Sequence, residues 1–354
     1  MHHAKLQRYG LNTRIEQEAS LHEELVLARI SEQHRDIYRV ITEEEELHAT
    51  ISGKLRYQAI SSTDLPGVGD WAMVERVQER AIIHQILHRR SVIRRKAAGT
   101  SQAMQVLAAN VDAVFVCMSL DNDFNLRRLE RYLSLVYSSM ATPVIVLTKA
   151  DLVDSVDARL AEISAMSPGT DVVACSGLAE SGYQSILPHI TEGKTVVFLG
   201  SSGVGKSTLI NRLLGSELLA TKEVRKDGKG RHATTHRQLL LLPNGGIVID
   251  TPGMRELQLG YADLSRSFED IESLSLECKF NDCSHTSEPE CGVQEAIRSG
   301  DLTPERLQNY KKLHKELGYA NLDGRQREQQ KIRSMFGSKN ELKQITRHLK
   351  RNKR

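Results

Sequence analysis

The segment GSSGVGKST has the glycines and the lysine that a phosphate-binding loop requires. It matches the pattern G-x-x-x-x-G-K-[ST], after the apolar run TVVFL and before an expected helix. The glycines would let backbone N–H groups converge on phosphates at the positive end of that helix. We expect Lys206 to reach the β- and γ-phosphates and the Ser207 hydroxyl to bind Mg²⁺. The predicted nucleotide-binding residues of this loop are Gly200, Ser201, Ser202, Gly203, Val204, Gly205, Lys206, Ser207 and Thr208.

Two further segments could respond to the terminal phosphate. In VIDTPG, Asp250 ends an apolar strand and could hold Mg²⁺ directly or through a water, and the Gly253 amide could meet the γ-phosphate. The polar, Gly-rich segment KDGKGRHATTHRQ lies between this element and the phosphate loop. It is a candidate switch in which either Thr234 or Thr235 would complete the Mg²⁺ shell. A surface loop without function is the alternative.

The segment PVIVLTKADL is an expected buried strand that runs into a Lys-x-Asp loop. The Asp151 carboxylate could accept two hydrogen bonds from guanine N1–H and the 2-amino group, which adenine lacks. At about 1.5–3 kcal/mol each, two such bonds would favour guanine by about two orders of magnitude or more. Lys149 would lie along the base, Ala150 completes the loop, and Thr148 stands where Asn is usual. Ser176, after DVVAC, would add a further contact to the base.

A cluster of three thiols and an imidazole follows the pattern C-x4-C-x-H-x5-C. Such a set forms a closed tetrahedral site for Zn²⁺, with no open position for catalysis. The wide first gap makes the spacing only moderately specific. In a polar segment that builds little core, the metal would supply most of the folding free energy, of order ~10 kcal/mol. The predicted zinc ligands are Cys278, Cys283, His285 and Cys291.

Length and charge limit the class of protein. A chain of 354 residues with a net charge of +3 is expected to form two or three domains. No run approaches the roughly 18 apolar residues of a membrane span, and the N-terminus lacks the apolar core of a signal peptide, so we expect a cytoplasmic protein. From Arg325 onward, eleven Lys or Arg residues accompany two Glu, a net charge of +9. Such a tail favours a nucleic-acid partner, or is a solvated tail without one.

The elements that must position these residues change character along the chain. Short β-rich clusters from about Leu25 to Val77 predict a five-stranded barrel of the oligonucleotide-binding type. The basic segment HRRSVIRRKAAG would follow as a linker that touches phosphates, or as a surface stretch beside the next domain. Alternating strands and helices after Gly99 predict an open, doubly wound sheet with ligands at the carboxyl ends of its strands.

We therefore expect a multi-domain protein with an α/β nucleotide-binding centre. The predicted domains are an OB-type β-barrel with an N-terminal extension and basic linker (residues 1–98), a GTPase domain (99–263), and a small zinc-binding domain with a helical basic tail (264–354).

The expected base-reading loop (residues 148–151) comes before the phosphate loop (residues 200–208) in the chain. This is a circular rotation of the usual order of GTPase motifs. The chain thus resembles a circularly permuted GTPase. With GVGDW in the barrel, GSSGVGKST, GKGRHATTH and the Cys/His cluster, it resembles the ribosome small subunit-dependent GTPase A family over roughly residues 20–320. That resemblance implies GTP and GDP as ligands and the same four zinc ligands. It also implies binding of the GTP form to the 30S subunit in late maturation, with the barrel and the zinc domain contacting 16S rRNA and hydrolysis releasing the protein. We further expect a monomer and no membrane partner.

The residue that orients water in Ras-like enzymes is a Gln, and here it is Met254. We therefore expect slow hydrolysis unless a partner orders the switches. His232 is the best candidate to place the water, and the resemblance supports a catalytic role, although a polar loop histidine is the alternative. Two rival functions remain: a P-loop kinase or ATPase acting on a small molecule, and an RNA-binding module with a vestigial nucleotide site.

Overall fold

A computed structural model of the protein describes residues 3–96, 104–179, 182–216, 237–250 and 262–320. The chain divides into two compact units. The first comprises residues 1–258 and 265–267, and the second comprises 259–264 and 268–354. The three-domain division after residues 98 and 263 stays a prediction.

The N-terminal strands of the first unit close into a barrel. Their order is β1-β2-β3-β5-β4, β4 returns to pair with β1, and only the β3–β5 pair is parallel. Alternate residues such as Ile30, Val40, Val74 and Ile83 fill the interior. The predicted OB-type barrel is confirmed and continues past Val77 to a fifth strand. The strands are β1 (Val26–His34), β2 (Ile37–Thr42), β3 (Glu46–Ile51), β4 (Trp71–Val77) and β5 (Arg80–Ile86).

Short helices accompany the barrel. Apolar side chains of α1 and α2 pack against barrel residues that include Trp71 and Met73. The Asn12 side chain caps α2, because it accepts a hydrogen bond from the Ile15 amide. Among the described residues, no helix has both the length and the apolar character to cross a bilayer. These helices are α1 (Ala4–Arg8), α2 (Thr13–Ala19) and α3 (Gly53–Gln58).

The basic segment after the barrel is a strand rather than a linker. β6 (Val92–Lys96) pairs antiparallel with β7 (Met104–Ala109). Its preceding arginines contact protein carboxylates: Arg89 binds the fully buried Asp70 at 2.7 Å, and Arg90 binds Asp112 at 2.6 Å. The sequence showed a cluster of cations but not these partners, which lie about twenty residues away in the chain.

The α/β sheet has the order β10-β9-β8-β11-β13-β12, with every neighbouring pair parallel except β12–β13. Alternate side chains of β8 enter separate apolar clusters on the two faces of the sheet, as a doubly wound fold requires. The strands are β8 (Ala113–Ser119), β9 (Thr142–Thr148), β10 (Asp171–Ala174), β11 (Thr195–Leu199), β12 (Arg237–Leu241) and β13 (Ile247–Asp250), and the helices are α4 (Leu126–Tyr137), α5 (Asp157–Met166) and α6 (Lys206–Leu214).

Two details of this sheet differ from or refine the sequence-based expectation. The helix expected near residues 183–190 is a short 3₁₀ segment, Gln184–His189, that contains Pro188; proline has no N–H to extend an α-helix. Cys117 and Cys175 are buried, and burial raises the pKa of both thiols to about 12. They are the core thiols that their apolar surroundings predict.

Helices make up most of the described part of the second unit, and the Cys/His cluster lies between two of them. The Arg306 guanidinium forms a two-pronged ion pair with Asp270, at 2.6 and 2.8 Å, and lies over the Phe268 ring. The helices toward the C-terminus are α7 (Leu264–Ser267), α8 (Glu269–Ser275), α9 (Gly292–Ser299) and α10 (Pro304–Ala320). Helices α8, α9 and α10 lie in this unit, and all of α7 except Leu264 lies in the first unit. The basic tail from residue 325 lies outside the described residues.

The GVGDW segment joins the barrel to the α/β sheet. The Gly69 amide donates to the Ile30 carbonyl at 2.9 Å, and its own carbonyl accepts from the Asn110 side chain at 3.1 Å. Gly69 has φ +92°, and a Cβ there would lie 2.2 Å from the Ala109 carbonyl oxygen. Only glycine fits this backbone conformation and this close approach.

Gly69→Ala should lower the free energy of unfolding by roughly 3 kcal/mol, because backbone strain and overpacking add. Urea unfolding followed by the fluorescence of Trp71, the sole tryptophan, measures the change. Gly53→Ala is the matched control, since a Cβ at Gly53 meets nothing within 4 Å. Equal midpoints for the two variants would contradict the packing described for Gly69.

Candidate functional site

The phosphate loop connects β11 to α6 in the way that the motif predicts. A Cβ at Gly200 would lie 2.5 Å from the Cys117 carbonyl oxygen, so glycine is required for the loop to pass β8. Gly205 has φ +102° directly before α6. The Lys206 ammonium donates to the carbonyls of Gly200 and Ser201 at 2.8 and 2.6 Å. The loop therefore curves around the lysine that this motif uses to reach phosphates.

The remaining loop residues differ in exposure. Ser202 and Gly203 are exposed, Val204 is buried, and Ser207 and Thr208 lie half-buried on the first turn of α6. The first backbone N–H groups of α6, from Gly205 onward, have no intrahelical acceptor and lie at the positive end of the helix, where anions bind favourably.

Asp250 ends β13, the strand that pairs with β11 in parallel register. Burial raises the pKa of the Asp250 carboxyl, and the nearby Lys206 ammonium opposes that rise. A carboxylate and the Ser207 hydroxyl are hard oxygen donors, which is the chemistry Mg²⁺ prefers. The two side chains therefore offer the donor chemistry that a magnesium ion prefers.

The predicted base-reading loop is hydrogen-bonded directly to the phosphate loop. Thr148, the last residue of β9, is buried, and its hydroxyl donates to the Val204 carbonyl at 2.6 Å. The Ala150 amide donates to the Cys175 carbonyl at 3.1 Å, which holds the loop to its neighbour after β10. Asp151 follows with an exposed side chain. The Thr in place of Asn thus fixes the two loops to each other.

The loop after β10, which carries Ser176, lies beside the predicted base-reading loop. The Ser176 hydroxyl accepts hydrogen bonds from the amides of Leu178 and Ala179, both at 3.2 Å. Arg212 of α6 donates to the Gly177 carbonyl at 3.1 Å. The helix that presents the phosphate loop therefore also supports the loop of Ser176.

Two aspartates that sequence reasoning missed lie between the predicted loops. After β8, Asp121 accepts from the Lys149 ammonium at 2.6 Å. Asp123 accepts from the Ser201 hydroxyl at 2.8 Å and pairs with Arg128. The signal was present: SLDNDFN places carboxylates at the carboxyl end of an apolar strand, the edge where ligands bind in open sheets.

The charge of Asp121 is set by competing effects. Burial would raise the pKa of its carboxyl, but hydrogen bonds from Lys149, the Asp123 amide and Ser119 lower that pKa to about 2. Asp121 therefore stays ionised at neutral pH and holds the Lys149 ammonium in place beside the base-reading loop.

The Cys/His cluster of the second unit has the dimensions of a zinc site. All four donor atoms lie within 4.8 Å of one another. The Cys278 and Cys291 sulfurs are 3.7 Å apart, and His285 Nδ1 is 3.5 Å from each of them. Tetrahedral Zn²⁺ with ordinary bond lengths requires about 3.8 Å between sulfurs and about 3.6 Å between sulfur and nitrogen. Three thiols and an imidazole at these separations fit one zinc ion.

Ser275 fixes which imidazole nitrogen faces the cluster. Its hydroxyl donates to the Ile271 carbonyl at 2.7 Å, and its oxygen lies 3.2 Å from His285 Nε2. Because the single hydroxyl proton is already used, the oxygen accepts from Nε2–H. Nδ1 then carries the lone pair that a metal needs. Nothing in the ligand spacing pointed to Ser275.

Several predicted residues lie outside the described part of the chain. His232, Thr234 and Thr235 belong to the first candidate switch, and Gly253 and Met254 follow Asp250. The assignments of the catalytic histidine, the switch threonine and the phosphate-sensing glycine therefore stay predictions.

The order of strands and loops defines a class: a circularly permuted P-loop GTPase domain that follows a β-barrel and precedes a Cys/His cluster. The model of the RsgA GTPase family matches residues 86–260. Small ribosomal subunit biogenesis GTPase RsgA 2 of Lactiplantibacillus plantarum is 48% identical over 340 residues, 96% of either chain. The chain belongs to the RsgA GTPase family, as its motifs predict.

Solved structures agree with this assignment. The crystal structure of YjeQ from Thermotoga maritima is similar with a TM-score of 0.61 and 27% identity, over 82% of this chain and 98% of that one. The crystal structure of YloQ, a circularly permuted GTPase, is similar with a TM-score of 0.59 and 26% identity, over 85% and 98%. The predicted fold class and permuted order are confirmed.

Thr148→Val should weaken GDP binding roughly tenfold, because it removes a buried hydroxyl and leaves the Val204 carbonyl without its donor, a loss of about 1–2 kcal/mol. Titration with a fluorescent GDP analogue measures the change. Thr148→Ser keeps the hydroxyl and should bind within about twofold of the parent. If the Thr148→Val and Thr148→Ser variants bind GDP with equal affinity, the hydroxyl does not hold the phosphate loop.

Ser275→Ala should lower zinc affinity about tenfold, the lower end of what loss of a ligand-orienting hydrogen bond costs. Competition for zinc against a colorimetric chelator gives the affinity. Ser273→Ala, two residues away and exposed, should leave it unchanged. Equal affinities for both variants would show that Ser275 does not orient His285.

Proposed function

We propose that this protein binds and hydrolyses GTP and acts as a switch in the biogenesis of the small ribosomal subunit, the role that its curated relatives are named for. The observation that carries the proposal is the 2.6 Å hydrogen bond from Thr148 to Val204. It joins a base-reading loop to a phosphate-binding loop, so one nucleotide can contact both.

Guanine recognition is assigned to Asp151. Its exposed carboxylate follows Lys149, which Asp121 orients, and the loop is fastened on both sides through Thr148 and Ala150. A carboxylate offers only acceptors, so it favours the N1–H and 2-amino donors of guanine over the adenine edge. Ser176 completes the base contacts in this proposal.

The phosphates are assigned to residues 200–208, with Lys206 as the fixed positive charge. Ser207, Asp250 and Thr235 would hold Mg²⁺, and the Gly253 amide would meet the γ-phosphate. A magnesium ion supplies charge neutralisation between the β- and γ-phosphates. His232 would place the attacking water, because Met254 cannot.

Structural zinc is assigned to Cys278, Cys283, His285 and Cys291, whose donor atoms fit a tetrahedral ion. A closed set of four protein ligands leaves no position for substrate. The metal therefore serves the folding of the second unit and not the reaction.

The partner in this proposal is the 30S subunit, with 16S rRNA contacted by the barrel, the zinc-binding region and the basic tail. A tail of charge +9 makes such binding fall steeply with added salt, because each phosphate contact releases counterions. The protein acts as a monomer in the cytoplasm, and hydrolysis of GTP releases it from the subunit.

GTP turnover measured with and without purified 30S subunits tests the proposal. We expect slow turnover alone, stimulation of at least tenfold by 30S subunits, and little effect of 50S subunits at equal concentration. Excess ATP should not compete, since it lacks the groups that Asp151 recognises. Turnover that 30S subunits leave unchanged would exclude the ribosomal role.

The same assay tests the assigned catalytic residue. His232→Ala should lose most of the stimulated turnover while GDP binding persists. The neighbouring polar histidine His236 provides the matched control, and His236→Ala should retain stimulation. Equal rates for the two variants would remove His232 from the mechanism and leave the switch function intact.

A further inference from the structure

A cavity of about 450 Å³ lies at the opposite end of β11 from the phosphate loop. The segment between α1 and α2, the barrel strands β1 and β4, and the residues that open β8 and β11 enclose it. Thr195, at the start of β11, lines the cavity, whereas the phosphate loop follows Leu199. At about 3.3 Å per residue, the two sites are separated by roughly 13 Å.

A buried arginine forms part of the cavity wall. Arg29 is 1% exposed, and its guanidinium donates to the Tyr9 carbonyl and, at 2.7 Å, to the Thr195 hydroxyl. Both partners are neutral, and Arg29 Nε has no hydrogen-bond partner among the described residues. A buried cation without a contacting carboxylate is costly, as is a buried N–H without an acceptor.

One of the two carboxylates that line the cavity already has hydrogen-bond donors. Asp112 accepts from Arg90 at 2.6 Å, from Lys194 at 3.2 Å and from the Thr195 amide at 2.9 Å. Its interaction with Arg29 is through space only. Burial lowers the pKa of Arg29 to about 10, so the guanidinium remains charged at neutral pH.

The lining as a whole carries excess positive charge. Four cations line the cavity, compared with the two carboxylates of Asp112 and Glu192. Amide side chains in the lining supply further polar groups around them. The cationic lining residues are Arg14, Arg29, Arg90 and Lys194.

One wall of the cavity depends on a glycine. Gly10 has φ +83°, and a Cβ there would lie 2.6 Å from the Gly193 carbonyl oxygen and 2.9 Å from the Arg29 guanidinium. The turn between α1 and α2 therefore passes so close to Arg29 that any side chain at position 10 would clash. The N-terminal segment is packed onto the cavity as part of its structure.

We propose that this cavity binds a small molecule through a phosphate or carboxylate group, with the Arg29 guanidinium as the buried anchor and Lys194 and Arg14 at the opening. A guanidinium that donates to the neutral oxygens of Tyr9 and Thr195 keeps the full positive charge that an oxyanion would neutralise. A volume of about 450 Å³ is in the range of small-molecule sites. The site is distinct from the GTP site assigned above.

Trp71 provides a built-in reporter for the test. It is the sole tryptophan of the chain, it lines the cavity, and the Arg29 guanidinium lies 5.3 Å from its ring centre. The full-length protein, saturated with GDP and Mg²⁺ to occupy the GTP site, is titrated with inorganic phosphate or with succinate at constant ionic strength. We expect a saturable change in Trp71 fluorescence for at least one of them, and the stronger probe identifies the anionic group.

Equilibrium dialysis with radiolabelled phosphate and succinate measures binding independently of fluorescence. Arg29→Met should abolish binding, and Lys194→Ala should weaken it roughly tenfold, the value of one charge-assisted hydrogen bond. Arg76→Ala removes a cation from the barrel surface outside the cavity and should change nothing. The Arg14→Ala/Lys194→Ala double variant, in which both side chains are exposed, keeps the test valid if Arg29→Met does not fold. Absence of saturable binding by dialysis, or binding that the double variant retains in full, would overturn the proposal.

Discussion

The structure depends on one constraint: parallel strands end at the same edge of a sheet, whatever their order in the chain. Across the sheet, the parallel strands lie side by side in the order β9, β8, β11 and β13. Their registers align residues such as Val116 with both Ile145 and Leu199. The loops that follow these strands must therefore meet. A rotation of the motif order leaves this edge unchanged, because only the connections between strands are altered.

Meeting at one edge does not by itself set the geometry of the loops, and short polar contacts do so here. The Thr148 hydroxyl is buried, so loss of its bond would leave a carbonyl without a partner. The pair of Asp121 and Lys149 is about one-third exposed, and such pairs contribute little to stability. Its effect is to orient the lysine. Thr148 thus holds the loops together, and Asp121 determines where a charge lies within them.

Much of the site could be predicted because phosphate loops and zinc ligands are encoded locally. Lys206 and Ser207 are set by one loop and the first turn of one helix, and the four zinc ligands lie within fourteen residues. What sequence reasoning missed depends on contacts between distant segments. Arg89 faces Asp70, and Asp123 faces Ser201 seventy-eight residues away. A single sequence shows the charge of such residues but not their partners.

The pairing of the barrel with the α/β sheet is the least predictable feature and has a mechanical consequence. β12 begins at Arg237, directly after the segment that contains the candidate switch, and it pairs with both β13 and β1. Arg237 also donates to Gln33 at 3.2 Å and to the Val106 carbonyl at 2.8 Å. A displacement of β12 must either move β1 or break these bonds. The barrel is therefore attached to the strand that joins the switch segment to Asp250.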